Sequence, residues 1–250
     1  MTKPAILITG GAKRIGASIT RAFSAAGWHV IIHYGQSRSA AESLAATLPS
    51  AECVGCDLAD GNAAAAMVET LAARLPDWRM LVNSAAVFRY DDATALDPDV
   101  LTEAMAVNAQ TPTQMAQAFL NHARAQGGRR VINLTDMKLA NPNPDFFSYT
   151  MAKHALAATV KMLAMAATSA ADRIYAIAPG AMLPSFDQSP EEHLKSGCLN
   201  LLHRLTDPAE VAEAALFLSA GWLGSGETIF VDSGQHLLTQ HRDVLYLARS

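Results

Sequence analysis

Apolar residues fall along this chain in two rhythms. Short, almost uninterrupted apolar runs occur at Ala5 to Thr9, His29 to His33, Ala51 to Val54, Met80 to Asn83, Arg130 to Leu134, Arg173 to Ile177 and Thr228 to Val231. Many are too continuously apolar for a sheet with one wet face, and they predict strands buried on both sides. Between them lie longer, alanine-rich stretches that read as helices, about 15–26, 40–47, 63–75, 99–125, 149–167 and 209–218. Alternation over the whole length predicts an α/β fold. It should be a single domain over residues 1–250, a Rossmann-like, doubly wound parallel sheet of about seven strands with helices on both faces. One long irregular stretch, about 179–197, contains Pro184, Pro190 and Gly197. A loop of that length is more often a lid or binding loop than a plain connection. The tail, 235–250, carries Leu237, Leu238, Val244, Leu245 and Leu247 and is too apolar to stay in solvent. It is expected to pack in a subunit interface, although the sequence itself calls only for a partner or a groove.

Composition removes several function classes. Half the residues are hydrophobic, 17% are charged and the net charge is −4, so the chain is expected to fold around a large core. No basic run could track a phosphate backbone, and nucleic acid is not an expected partner. Cys53 and Cys56 form a C-x-x-C spacing, but no second pair or histidine cluster accompanies them; buried thiols at a strand end are expected, with no metal. The odd, low cysteine count fits a reducing cytoplasm. No secretory segment and no stretch long enough to span a bilayer is apparent, which predicts a cytoplasmic protein without membrane partners.

The candidate chemistry sits where strands end. The first strand runs into Thr9-Gly10-Gly11-Ala12-Lys13-Arg14-Ile15-Gly16. Glycines 10 and 16 bracket a tight turn into a helix, where missing Cβ atoms and free N–H groups admit a pyrophosphate. Lys13 and Arg14 add positive charge. The second strand ends His33-Tyr34-Gly35-Gln36-Ser37-Arg38, without the acidic residue that takes a ribose 2′-OH in an NAD site. Ser37, Arg38 and Arg14 would welcome a 2′-phosphate, so NADPH is the expected cofactor. After the third strand, Asp57-Leu58 offers a carboxylate for an adenine amino group. After the fourth, Asn83-Ser84-Ala85-Ala86 offers small residues for close cofactor approach. Asn108 falls inside a helix, where its amide could satisfy a local break or hold a water in a proton path.

Tyr149 and Lys153 lie four apart, so on a helix they share a face. An ammonium beside a phenol draws the phenol's pKa down toward the working range. Alone, the spacing also fits a helix surface pair. Asp136, thirteen residues before Tyr149, could supply or relay a proton, or cap a strand end.

Together TGGAKRIG, the NSAA turn, Asn108, Asp136, YTMAK and Pro179-Gly180 resemble the short-chain dehydrogenase/reductase superfamily over essentially the full chain. Aspartate at 136, where most members carry serine, resembles the pteridine reductases and dihydromonapterin reductases, as do Arg14, His33-Tyr34, Ser37 and Phe88. The resemblance implies a homotetrameric, NADPH-dependent reductase of dihydropterins of the dihydromonapterin or dihydrobiopterin kind, with dihydrofolate a further candidate. It implies that Asp136 and Tyr149 relay a proton, Lys153 holds the nicotinamide ribose and Asn108 the relay water. Arg14 would touch phosphate and pterin, and Phe88 would stack on the pterin. Apart from the resemblance, Met182, Leu183, Phe186 and Leu194 in the loop after the sixth strand could cover an apolar ring or equally plug a core. Ala86, where a pterin-bonding serine is frequent, and Gln36, where a basic residue is expected, depart from the pattern. The rivals are a 3-oxoacyl thioester reductase of the same superfamily and a non-catalytic NADPH sensor.

Overall fold

The computed structural model describes residues 3–167, 169–185 and 187–249. Among these, seven strands form one sheet in the order β3-β2-β1-β4-β5-β6-β7, every neighbouring pair parallel. They are β1 (Ala5–Ile8), β2 (His29–Tyr34), β3 (Ala51–Gly55), β4 (Trp78–Asn83), β5 (Arg130–Leu134), β6 (Arg173–Pro179) and β7 (Thr228–Val231). The helices are α1 (Arg14–Ala25), α2 (Arg38–Ala45), α3 (Gly61–Arg74), α4 (Pro98–Met105), α5 (Thr111–His122), α6 (Phe147–Ala166), α7 (Pro190–Gly197), α8 (Pro208–Ser219) and α9 (Val244–Leu247).

The continuous apolar strands have the expected cause. In β1, Ala5 and Leu7 enter a core with α3, α5 and α6, while Ile6 and Ile8 enter a second core with α1, α2 and α8. Side chains alternate between faces, and both faces are covered. Chain order reverses across β1, with β2 on one side and β4 on the other. That reversal opens a crevice at the carboxyl ends of the strands, where ligands of such sheets bind.

Two boundaries differ from the sequence reading. The helix expected over about 99–125 is α4 and α5 joined by a π turn at Ala106–Gln110, and it ends at His122 rather than 125. The 179–197 stretch is not wholly irregular, because α7 forms within it. Its capping box, with Ser189 and Glu192 each bonding the other's backbone, and Pro190 in the first turn are sufficient local reasons. The tail folds back on its own chain: Val244, Leu245 and Ala248 are buried without a partner subunit, although Leu237 remains exposed. Among the described residues no helix is long and apolar enough to cross a membrane.

Candidate active site

The crevice is built from the turn after β1. Strand β1 stops at Ile8, and the Thr9 hydroxyl crosses to the turn after β4, accepting from the N–H groups of Ser84 at 2.9 Å and Ala85 at 3.0 Å. The two turns are thereby pinned together. Gly10 has φ of 62°, and a Cβ on it would lie 3.1 Å from the Ala85 Cα. A Cβ on Gly16 would collide with the Gly10 carbonyl. Buried His33 braces this turn. Its Nδ1 accepts from the Gly10 N–H at 3.3 Å and its Nε2 donates to the Cys56 carbonyl at 3.0 Å. With one nitrogen accepting, the ring is neutral, and burial lowers its pKa accordingly.

A cleft of about 590 Å³ opens above these turns. One wall carries Gly10, Lys13, Arg14, Ile15 and Gly16; beyond them lie His33, Tyr34 and Ser37. Ala85, Lys153, Pro179 and Gly180 face it from the other strand ends. Arg14 is held at φ of 52°, and its guanidinium donates to the Pro184 carbonyl at 3.0 Å, tying the turn to the 179–197 loop.

Five expected residues are not on this wall. Arg38 projects from α2 into an ion pair with Glu42 at 2.7 Å, its i,i+4 neighbour. Asp57 accepts from the Ala59 N–H at 2.9 Å, closing its own turn. Leu58 is buried in the core. Asn83 turns inward, its amide donating to the Pro112 carbonyl at 3.2 Å and to Asn133 at 2.8 Å. Asn108 spends both ends of its amide on Val87, accepting from the N–H at 2.8 Å and donating to the carbonyl at 2.9 Å. It therefore clamps the segment before Phe88 to the π turn, which is the structural of the two roles considered for it. Cys53 and Cys56 are free thiols.

The reactive groups meet at the cleft floor. Asp136 caps a single turn at 137–139, its Oδ1 accepting from the Lys138 N–H at 2.9 Å, while its Oδ2 accepts from the Tyr149 hydroxyl at 2.8 Å. One side chain thus caps the turn and bonds the tyrosine at the same time. Burial raises the Asp136 carboxyl above its ordinary value, against the pull of Lys138, Tyr149 and Lys153. Burial and then the neighbouring carboxylate push the Tyr149 phenol well above 10. This reverses the sequence expectation that Lys153 acidifies the phenol. The Lys153 ammonium donates to the Leu134 carbonyl at 2.6 Å and lies 5.6 Å from the Tyr149 ring centroid, and burial lowers it to about 8. Both acids of the dyad thus hold a proton more tightly than they would free in solution.

An aromatic wall rises beside the dyad. Phe88 stacks on Phe146 at 4.0 Å between centroids and meets Tyr149 edge-on at 4.7 Å. Phe146 begins α6 from the left-handed region, φ 54°, which directs its ring at Phe88. Met182 is buried and lines the cleft with Leu183, whereas Leu194 is exposed and off the wall; Phe186 lies outside the described residues. Lys138, Gln188, Ser196, Asp243, Val244 and Leu245 also line the cleft and were missed. Only the apolar tail signalled the last two.

A family model described as enoyl-(acyl carrier protein) reductase matches residues 10–236. The chain belongs to the short-chain dehydrogenase/reductase family. This short-chain oxidoreductase is similar over 95% of its length to a solved structure from Brucella suis, FolM alternative dihydrofolate reductase 1 in complex with NADP. The match has 31% identity and a TM-score of 0.88 and covers 96% of that chain. Galactitol 2-dehydrogenase from Cereibacter sphaeroides is 31% identical over 91% of this chain and 92% of its own. Pteridine reductase 1 from Leishmania tarentolae is 29% identical over 94% and 97%. Relatives of this oxidoreductase thus include both pterin-type reductases and a polyol dehydrogenase.

Proposed function

We propose that this oxidoreductase reduces dihydropterins with NADPH. The observation that carries the reading is the 2.8 Å contact between Asp136 and the Tyr149 hydroxyl beneath the Phe88 wall. The glycine turn fits a dinucleotide, since a Cβ at Gly16 would fill the cradle against the Gly10 backbone. Lys13, Arg14 and Ser37 line the cleft where no carboxylate closes β2, which suits a 2′-phosphate. Lys153, which lines the cleft, would hold the nicotinamide ribose. When bound, the reduced nicotinamide supplies the hydride.

The chain's own residues handle the proton. Reducing a ring C=N bond leaves electron density on nitrogen, which must gain a proton as hydride arrives. With Asp136 protonated, its O–H donates to the phenol oxygen and frees the Tyr149 O–H to point into the cleft. Tyr149 then gives its proton to the substrate nitrogen and takes one from Asp136, so the negative charge ends on the carboxylate. Phe88, held by Phe146 and Tyr149, offers a flat face for the pterin. Exposed Met151, Met162 and Met165 on α6 support assembly into a homotetramer, which sedimentation tests.

The experiment is NADPH oxidation by the purified protein with dihydromonapterin, dihydrobiopterin, dihydrofolate and an acetoacetyl thioester. Turnover confined to the thioester would replace the reading with the carbonyl-reductase rival, and NADPH binding without turnover would leave the sensor. Asp136→Ser should cost pterin turnover at least tenfold and leave NADPH affinity within about threefold. Equal loss of both would show Asp136 to be scaffold only.

A further inference from the structure

We propose that Asp243, carried on the C-terminal tail, is a positioning residue for proton delivery: paired with Lys138, it holds that side chain and balances its charge beside Asp136. The inference rests on the dihydropterin reading, because it gives Asp136 the role of proton donor.

Lys138 is bonded to the donor through its own backbone N–H, 2.9 Å from the Asp136 Oδ1. Its buried ammonium lies 2.7 Å from Asp243 Oδ2, donates to the Asp145 carbonyl at 3.2 Å and sits 5.2 Å from the Phe146 ring centroid. Lys138 and Asp243 both line the cleft. The tail holds Asp243 firmly. Its N–H donates to Asp145 Oδ2 at 2.8 Å, and its Oδ1 caps α9 by accepting from the Leu245 N–H at 3.0 Å. Arg242 pairs with Asp145 at 2.7 Å, and Arg249 reaches Asp187 and Glu192 at 3.1 Å each. The last residues are thereby fastened to α7 and to the segment before α6.

The charged and titratable groups facing the dyad come from three elements. Lys138 belongs to the turn after β5, Lys153 to α6 with Tyr149 itself, and Asp243 to the tail. An unbalanced ammonium at Lys138 would favour ionised Asp136 and withdraw the proton that the reaction needs. An unbalanced carboxylate at Asp243 would hold that proton too tightly. With both charges present, Lys138 draws the Asp136 carboxyl down while Asp243 pushes the Tyr149 phenol up, so the two act on the dyad in opposite directions, and a buried pair left with one partner is costly.

The test uses three variants of the full chain. Asp243→Asn keeps the shape and the cap of α9 but leaves Lys138 unbalanced; Lys138→Met leaves Asp243 unbalanced; the double variant removes both charges. The profile of kcat/KM against pH for dihydropterin reduction should fall on its alkaline side as the donor ionises. Asp243→Asn should move that limb to lower pH by about one unit, Lys138→Met should move it to higher pH, and the double variant should return it toward the wild type. The Asp136 carboxyl carbon, followed by NMR without substrate and assigned with Asp136→Asn, should titrate with the same opposite displacements. Activity lost evenly across pH with an unmoved carboxyl titration would overturn the proposal. Opposite carboxyl displacements in a protein that turns over no pterin would support the charge balance while rejecting the dihydropterin reading.

Discussion

The Thr9 hydroxyl is small, yet it joins the two turns that form the cofactor end of the cleft. Thr9→Val preserves the shape and the β-branch but removes the acceptor of two backbone N–H groups, Ser84 at 2.9 Å and Ala85 at 3.0 Å. An unsatisfied buried donor costs about 1–3 kcal/mol. Both recipients are half-buried, so water recovers part of that, and the expected loss is about 2–3 kcal/mol for the pair. Reversible urea unfolding should show it as a lower midpoint at unchanged slope, and thermal unfolding as a fall of about 5–10 °C. Because a Cβ on Gly10 would lie 3.1 Å from the Ala85 Cα, separation of the turns also displaces the phosphate cradle. NADPH affinity, followed by cofactor fluorescence, should fall about tenfold. Thr9→Ser keeps the acceptor and should stay close to the wild type on both measures. A valine variant within about 0.5 kcal/mol of wild type would refute the claim that this hydroxyl holds the turns together.

Gly16→Ala should behave oppositely to a helical glycine elsewhere. Alanine usually stabilises a helix by about 0.5–1 kcal/mol, but here its Cβ meets the Gly10 carbonyl, so both calorimetric stability and NADPH affinity should drop. Lys153 makes stability depend on pH. Its folded value of about 8 lies below the ordinary 10.5, so between those values the unfolded chain binds the extra proton and stability rises with pH. The gain is at most about 3 kcal/mol. Lys153→Met should lose that rise, and parallel wild-type and variant curves from pH 8 to 10.5 would contradict it.

The sheet was legible because its signal is local and repeated. Ile6 and Ile8 entering one core while Ala5 and Leu7 enter the other is what an unbroken apolar run on a two-sided sheet means. The glycine turn was legible in part for the same reason, since Gly16 answers to Gly10 six residues before it, whereas Gly10 answers to Ala85 on the turn after β4. Direction of side chains was not. Asn83 and Asn108 stand beside the cleft in sequence, but their amides turn to Pro112, Asn133 and Val87, partners 21 to 50 residues away. Arg38 was matched to a phosphate, yet its i,i+4 partner Glu42 was also in the sequence and takes the guanidinium. Helix α7 announced itself in Ser189-Pro190-Glu191-Glu192, and the proline-rich surroundings masked it. The tail's place over the site depends on Lys138, Asp145 and Asp187, and no periodicity connects residues 243 to 249 with them.

The reversal at Tyr149 bears most directly on chemistry. A phenol beside a lone ammonium is drawn toward phenolate, which suits taking a proton from a hydroxyl. Asp136 opposes that pull, and with burial it drives the phenol the other way. Its own carboxyl, raised by burial, becomes the stronger acid of the two. A tyrosine in that position releases its proton less readily than a free phenol, and under the proposed function it does so only as Asp136 replaces that proton across 2.8 Å. Under the proposed function the same Tyr-x3-Lys spacing serves delivery of a proton to an acceptor being reduced. That requirement is stricter for a ring nitrogen left anionic by hydride than for a carbonyl oxygen that a neutral hydroxyl can polarise.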